Sequence, residues 1–186
     1  MEAISTAMGL QLYWVQPKTF ERRFELRTED DLFGDVRFEK AFGTLATASS
    51  ATGRWTFKRV GFLNPRVTIR EAGASDDRAV YWPKFWRGDG WLEFVKGSKF
   101  HWKSTNFWGS EWGFFNVQEE LLFVLKQGGE KHKLSDLLKT QGVVEIGPQG
   151  HGEAELPLLL LLGWYLVVLH QEDAAVVVLA GGAAVC

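Results

Sequence analysis

The stretch Glu155–His170, ELPLLLLLGWYLVVLH, decides the architecture of this chain. From Leu158 to Leu169 it contains no charged side chain. Glu155 precedes the apolar run, where the helix dipole favours an anion, and Pro157 suits a first helical turn, so we predict a helix over about 156–170. Its apolar side chains point in every direction around the axis. Such a helix must be enclosed on all sides.

A membrane span is the alternative explanation, and the length of the run argues against it. Spanning a bilayer takes about 20 apolar residues. Here the charged segment HQED, 170–173, separates the run from a second apolar segment, 174–186. Glu172 and Asp173 would be costly at the bilayer centre, and no Lys/Arg cluster on either flank sets an orientation. We therefore predict a core helix followed by a short apolar tail, with Val176–Leu179 as a short strand or packed extension.

The composition indicates one soluble domain covering residues 1–186. Nine Trp and fourteen Phe favour strands over helices. The net charge of −2 gives little attraction to nucleic acid, so no nucleic-acid partner is expected. The single cysteine, Cys186, allows no disulfide within the chain and indicates a reducing, cytoplasmic compartment.

The residues ahead of the helix have the alternation typical of strands. In Arg66–Arg70, for example, Val67 and Ile69 share one face. The polar stretch Lys126–Gly142 interrupts this pattern and is predicted to be a loop. About twelve strands, separated by turn signals, are expected: Leu10–Val15, Phe20–Leu26, Gly34–Phe42, Gly43–Thr47, Arg54–Arg59, Arg66–Arg70, Ala79–Trp82, Trp91–Val95, Lys99–Lys103, Trp112–Val117, Leu121–Leu125 and Val143–Ile146.

Twelve strands twist into a sandwich or close into a barrel, and the all-round apolar helix decides between the two. An antiparallel barrel can hold one helix in its lumen. The predicted fold class is therefore mainly β, an antiparallel barrel of about twelve strands that encloses the hydrophobic C-terminal helix.

This order of elements, from TFERRFEL (19–26) to VVEI (143–146) and then ELPLLLLLGWYLVVL, resembles the tubby C-terminal-like superfamily. That superfamily includes the plant LURP-one-related proteins and the phospholipid scramblases. The resemblance implies a twelve-stranded barrel closed around a hydrophobic C-terminal helix. It also implies binding of phosphoinositide headgroups through basic residues on strands.

Motifs of catalysis and metal binding are missing from the sequence. His101, His132, His151 and His170 form no paired metal-ligand spacing, and a single cysteine excludes thiolate sites. No G-x-S-x-G motif, phosphate loop or dinucleotide fingerprint occurs. We therefore predict no catalytic residue, metal or cofactor. His101 alternates with Phe100 and Trp102 and is expected to be an exposed strand residue.

A basic hairpin is the one candidate binding site. The segment Arg54–Arg70 is predicted to turn at 61–65 so that Phe57 faces Ile69, Lys58 faces Thr68 and Val60 faces Arg66. In this register four basic side chains share the outward face with no acid among them. They form either an ordinary solvated surface or an anion site for a phosphoinositide-like headgroup. The four residues are Arg54, Lys58, Arg66 and Arg70.

These features favour a non-catalytic binding or scaffold domain. We expect a cytoplasmic monomer, peripheral at the inner membrane face, whose partners are anionic lipid headgroups or another protein. One alternative is a lipid-handling, scramblase-like protein with a membrane-inserted C-terminal region. Another is an enzyme whose site assembles only in three dimensions, which a deep polar cleft with perturbed carboxylates would favour.

Overall fold

The computed structural model describes residues 1–7, 9–84, 88–128 and 139–182. Twelve strands form one closed antiparallel barrel, in which β1 pairs with both β2 and β12. A 3-10 turn, Ile4–Ala7, precedes the barrel, and a second, Gly150–Gly152, leads into helix α1, Leu156–Gly182. The strands are β1 Leu12–Gln16, β2 Arg23–Arg27, β3 Leu32–Phe38, β4 Ala46–Ser50, β5 Gly53–Val60, β6 Arg66–Glu71, β7 Ala79–Pro83, β8 Gly90–Phe94, β9 Lys99–Ser104, β10 Glu111–Phe115, β11 Leu121–Gln127 and β12 Lys139–Ile146.

The predicted fold class is confirmed, and each of the twelve predicted strands overlaps an observed one. Several boundaries were wrong: the predicted strands Phe20–Leu26 and Trp112–Val117 extend beyond the observed β2 and β10, and two larger differences occur elsewhere. Residues 39–45, expected within strands, connect β3 to β4, and the predicted loop Lys126–Gly142 is strand at both of its ends. The middle of that loop, 129–138, lies outside the described residues.

Strand alternation sends large apolar side chains into the lumen. On β5 and β6, for example, Trp55, Phe57, Val67 and Ile69 are buried. Because the barrel is closed, none of the twelve described strands has an edge left to pair with another chain.

Helix α1 occupies the lumen, and every residue from Leu156 to Leu169 is buried. Trp164 stacks on Trp14 of β1 with ring centroids 5.1 Å apart. On another side, Tyr165 donates a hydrogen bond of 2.6 Å to the carbonyl of Thr44. The helix also contacts β4 and β10, which lie six strands apart on opposite sides of the barrel, as its all-round apolar surface requires.

Two glycines let the helix and the wall approach each other closely. A Cβ on Gly163 would lie 3.1 Å from the Trp102 ring and 3.2 Å from a Leu125 methyl. A Cβ on Gly142 of β12 would lie 2.9 Å from the Trp164 ring. The helix-propensity cost of Gly163, about 1 kcal/mol, is offset by this close packing.

Beyond the lumen the helix continues to Gly182, so Val176–Leu179 is helical, and the first of the two expectations for it, a short strand, is wrong. Residues 170–176 are exposed. At the point of exit, Glu172 pairs with Arg22 at 2.5 Å and Asp173 pairs with Arg59 at 2.6 Å.

By length and composition, the segment Leu156–Val176 is apolar enough to cross a membrane, a test that the core helix of a soluble protein also passes. Its first fourteen residues, Leu156–Leu169, are buried inside the barrel. The buried part contacts the strands, and only the extension after Leu169 is available to a membrane.

Replacing Leu161 with Asp should prevent folding. Leu161 is fully buried, and a buried, unpaired carboxylate costs several kcal/mol against a total stability of about 5–15 kcal/mol. Val176→Asp, at an exposed position of the same helix, is the matched control and should leave the melting temperature unchanged. Circular dichroism melts check both, and a folded Leu161→Asp protein with the wild-type melting temperature would contradict the enclosed helix.

The protein should lose stability at alkaline pH because of buried tyrosines. Burial raises the pKa of Tyr165 and of Tyr81 well above the ordinary value of about 10, although hydrogen bonding and Arg59 partly oppose the shift at Tyr165. A raised folded-state pKa contributes stability that is complete below pH ~10 and is lost as pH rises above it. Denaturant unfolding between pH 8 and roughly 12 measures how steeply the free energy of unfolding falls with pH. This fall should be less steep in Tyr165→Phe than in the wild type, and an identical pH dependence of the two proteins would contradict the role of Tyr165.

Candidate anion-binding site

The β5–β6 hairpin has the predicted register. Phe57 pairs with Ile69, Lys58 with Thr68 and Val60 with Arg66. Because Phe57 and Ile69 face the lumen, the four basic side chains of the hairpin lie on the outer face. We call this outer surface of β5 and β6 the basic face.

The four side chains form a zigzag along the hairpin, in which Arg70 is diagonal to both Arg54 and Lys58, and Lys58 is also diagonal to Arg66. Lys58 and Arg66 lie toward the loop 61–65, whereas Arg54 and Arg70 lie toward the other end of the hairpin. Diagonal neighbours are about 7–8 Å apart, but Arg54 and Lys58, four residues apart on one strand, are separated by about 13 Å. One small headgroup therefore contacts one pair at a time.

Two of the four side chains already have partners. Arg70 donates to Asp77 at 2.6 Å, so the expectation that no acid lies among the four is wrong for Arg70. Asp77 comes from the loop after β6, which folds back over the face. The guanidinium of Arg66 lies 5.6 Å from the ring centroid of Trp82 on β7, a cation–π contact that leaves its charge uncompensated.

Arg54 and Lys58 are exposed, and neither forms an ion pair with any described residue. Arg54 also lines a pocket of about 550 Å³ beside the start of α1. Inside this pocket, Arg78 binds Glu71 at 2.6 Å and Glu155 at 2.7 Å. Burial opposes the charge of Arg78, but the two carboxylates outweigh it and raise its pKa. Since Arg78 is engaged with both acids, Arg54 supplies the accessible positive charge.

His101 was expected to be exposed, and this was wrong. It lies on the outer face of β9 but is 8% exposed, because Trp91 stacks on it with centroids 4.4 Å apart. Its Nδ1 lies 3.0 Å from Glu119, which also accepts a hydrogen bond from Lys103. Those bonds, from Lys103 first and His101 second, lower the pKa of Glu119. A carboxylate held ionised in this way is a poor proton donor.

No group of three or more His, Cys, Asp or Glu side chains in the described part of the chain could hold a metal ion. His132 lies outside the described residues. His170 lies on α1 beside Trp112, with ring centroids 5.1 Å apart.

Comparisons of the chain with protein-family models, with curated proteins and with solved structures found no match. The resemblance to the tubby C-terminal-like superfamily therefore stays a prediction.

Proposed function

We propose that this chain is a non-catalytic binding domain whose basic face binds the anionic headgroups of phospholipids. The observation that carries this proposal is the pair of exposed cations on β5, Arg54 and Lys58, which have no ion-pair partner among the described residues. Lys58 lies diagonal to Arg66 on β6, so these two cations can contact one phosphate. Arg70, the diagonal neighbour of Arg54, already binds Asp77, so Arg54 contributes a single accessible charge.

The filled lumen supports a role on the outside of the barrel. Residues 156–169 occupy the space in which many barrels hold a ligand. In the described pocket, Glu71 and Glu155 both bind Arg78, which leaves neither acid free for acid–base chemistry. These contacts favour binding over catalysis. With one cysteine and no disulfide, the domain suits the cytoplasmic face of a membrane, where anionic lipids are concentrated.

The double variant Arg54→Gln, Lys58→Gln should bind anionic vesicles at least tenfold more weakly, which corresponds to about 1.4 kcal/mol. Charge-assisted contacts to phosphate are lost, and the effect should shrink as salt rises. Arg70 is left unchanged because Asp77 already engages it. Co-sedimentation with phosphatidylserine-containing vesicles measures the change.

The matched control is Lys99→Gln, Lys126→Gln, which removes the same charge from an exposed and a half-buried lysine paired with Glu93 and Glu145. It should bind like wild type. Equal weakening in both double variants would mean that net charge, and not the basic face, governs binding. Unchanged binding in both would refute the proposal.

A second candidate function, lipid handling of the scramblase type, is favoured by one observation. The helix runs past the barrel to Gly182, and Val176 on this extension is exposed. A lipid-handling protein would use that apolar extension within the bilayer.

Dithionite bleaching of vesicles that carry a fluorescent lipid separates the two functions. A binding domain should leave the inner-leaflet lipid protected, because it provides no path between the leaflets. Accelerated bleaching that disappears when residues 174–186 are removed would support lipid handling instead. This truncation removes only residues after Asp173, so the barrel and the buried part of α1, which ends at Leu169, stay intact.

A further inference from the structure

The two ends of the barrel differ in chemistry. Helix α1 leaves the barrel near Arg22 and Arg59, beside the loops that follow β1, β3, β5, β7, β9 and β11. We call this the exit end and the opposite one the entry end. Four exit-end loops are described in full, namely 17–22, 39–45, 61–65 and 105–110.

Each of these four loops exposes a phenylalanine almost completely. Phe20 is 100% exposed, Phe42 and Phe62 are 98% exposed, and Phe107 is 93% exposed. Leu63 and Trp108, beside two of them, are 88% and 85% exposed. We call these six side chains the apolar rim. Large apolar side chains exposed together around one end of a protein mark an interaction surface.

At the entry end, by contrast, none of the described aromatic side chains is largely exposed to solvent. The loops there are acidic. They contain Glu29, Asp30, Asp31, Asp76, Asp77, Glu119 and Glu120.

We propose that the apolar rim docks into one leaflet of a lipid bilayer, with α1 entering the leaflet between the loops. The loops 61–65 and 105–110 contain no charged residue, so their tips can enter the interface without desolvating an ion. Phe, Leu and Trp are the side chains that favour this depth. The acidic entry end, which an anionic bilayer repels, then faces away from it.

The occupant is a bilayer because the rim is scattered over separate loops around a projecting helix. Within it, only Phe107 and Trp108 form an aromatic pair, with centroids 5.5 Å apart. Fluid hydrocarbon accepts scattered side chains without matching pockets. From Asp173 to Gly182 the helix advances about 13 Å, less than half of the ~30 Å hydrocarbon core, so it stays in one leaflet.

The basic face adjoins the rim through the same hairpin. Phe62 and Leu63 form its tip, and Lys58, four residues before Phe62, is the exposed cation of the basic face nearest to the bilayer. Arg54 lies four residues further along β5, farther from the bilayer than Lys58. The biological setting of this inference rests on the proposed membrane-surface function. Its physical test does not, because rim insertion needs no anionic lipid.

The test compares the two ends of the barrel with an environment-sensitive dye. In a Cys186→Ser background, the dye is attached at Phe62→Cys or at Val95→Cys, an exposed apolar position of the entry end. With neutral phosphatidylcholine vesicles at high salt, the dye at position 62 should become brighter and shift to the blue, whereas the dye at 95 should not change. No shift at 62, or equal shifts at both positions, would overturn the proposal.

A second measurement removes the rim itself. Replacing Phe20, Phe42, Phe62 and Phe107 by Ser should weaken partitioning into neutral vesicles at least tenfold and leave the melting temperature unchanged. The control, Val95→Ser with Val117→Ser, should partition like wild type. Equal partitioning of all three proteins overturns the proposal. So does a dimer that the Phe variant abolishes, without any lipid signal, since a second copy of the chain would then be the occupant.

The two proposals fail separately. If Arg54→Gln, Lys58→Gln loses no binding to anionic vesicles while the dye at position 62 still shifts, insertion of the apolar rim is supported and the anion site is refuted. If the dye signal does not change while binding to anionic vesicles depends on Arg54 and Lys58, insertion of the apolar rim is refuted and the anion site is supported.

Discussion

The mutual burial of α1 and the barrel is the constraint on which this structure depends. The strands direct Trp, Phe and Leu side chains inward, and without the helix these would line a void. The helix, apolar on every side, has no solvated face and would be insoluble without the strands. Each large apolar side chain buried in this contact contributes roughly 1.5–3 kcal/mol. Neither partner is stable alone, so the two must form together.

Because α1 fills the lumen, the surface left for binding is the outside of the barrel. The lumen is packed with rings such as Trp14, Trp164 and Tyr165. Binding must then use the outer face or the two ends, and these carry different chemistry. The basic face offers charge, the entry end is acidic, and the exit end is apolar.

The up-and-down topology explains how the ends came to differ. In an antiparallel barrel, successive loops alternate between the two ends. Phe20, Phe42, Phe62 and Phe107 are far apart in the sequence but lie on alternate loops, so closure collects them at one end. The helix passes through the same opening, where Arg22 and Arg59 neutralise its two carboxylates. A single structural rule thus places the rim, the helix extension and the ion pairs together.

Most of the fold followed from the sequence alone, because alternation and length are local properties. The apolar run of α1, the twelve strands and the register of the β5–β6 hairpin depend on neighbours close in sequence. The contacts of Arg70 and His101 depend instead on the paths of loops and on neighbouring strands. Asp77 reaches Arg70 because the loop after β6 folds back, and Trp91 and Glu119 bury His101 from other strands and turns. The end of α1 and the apolar rim also depended on tertiary structure, since only closure of the barrel determines which residues are covered and which loops share an end.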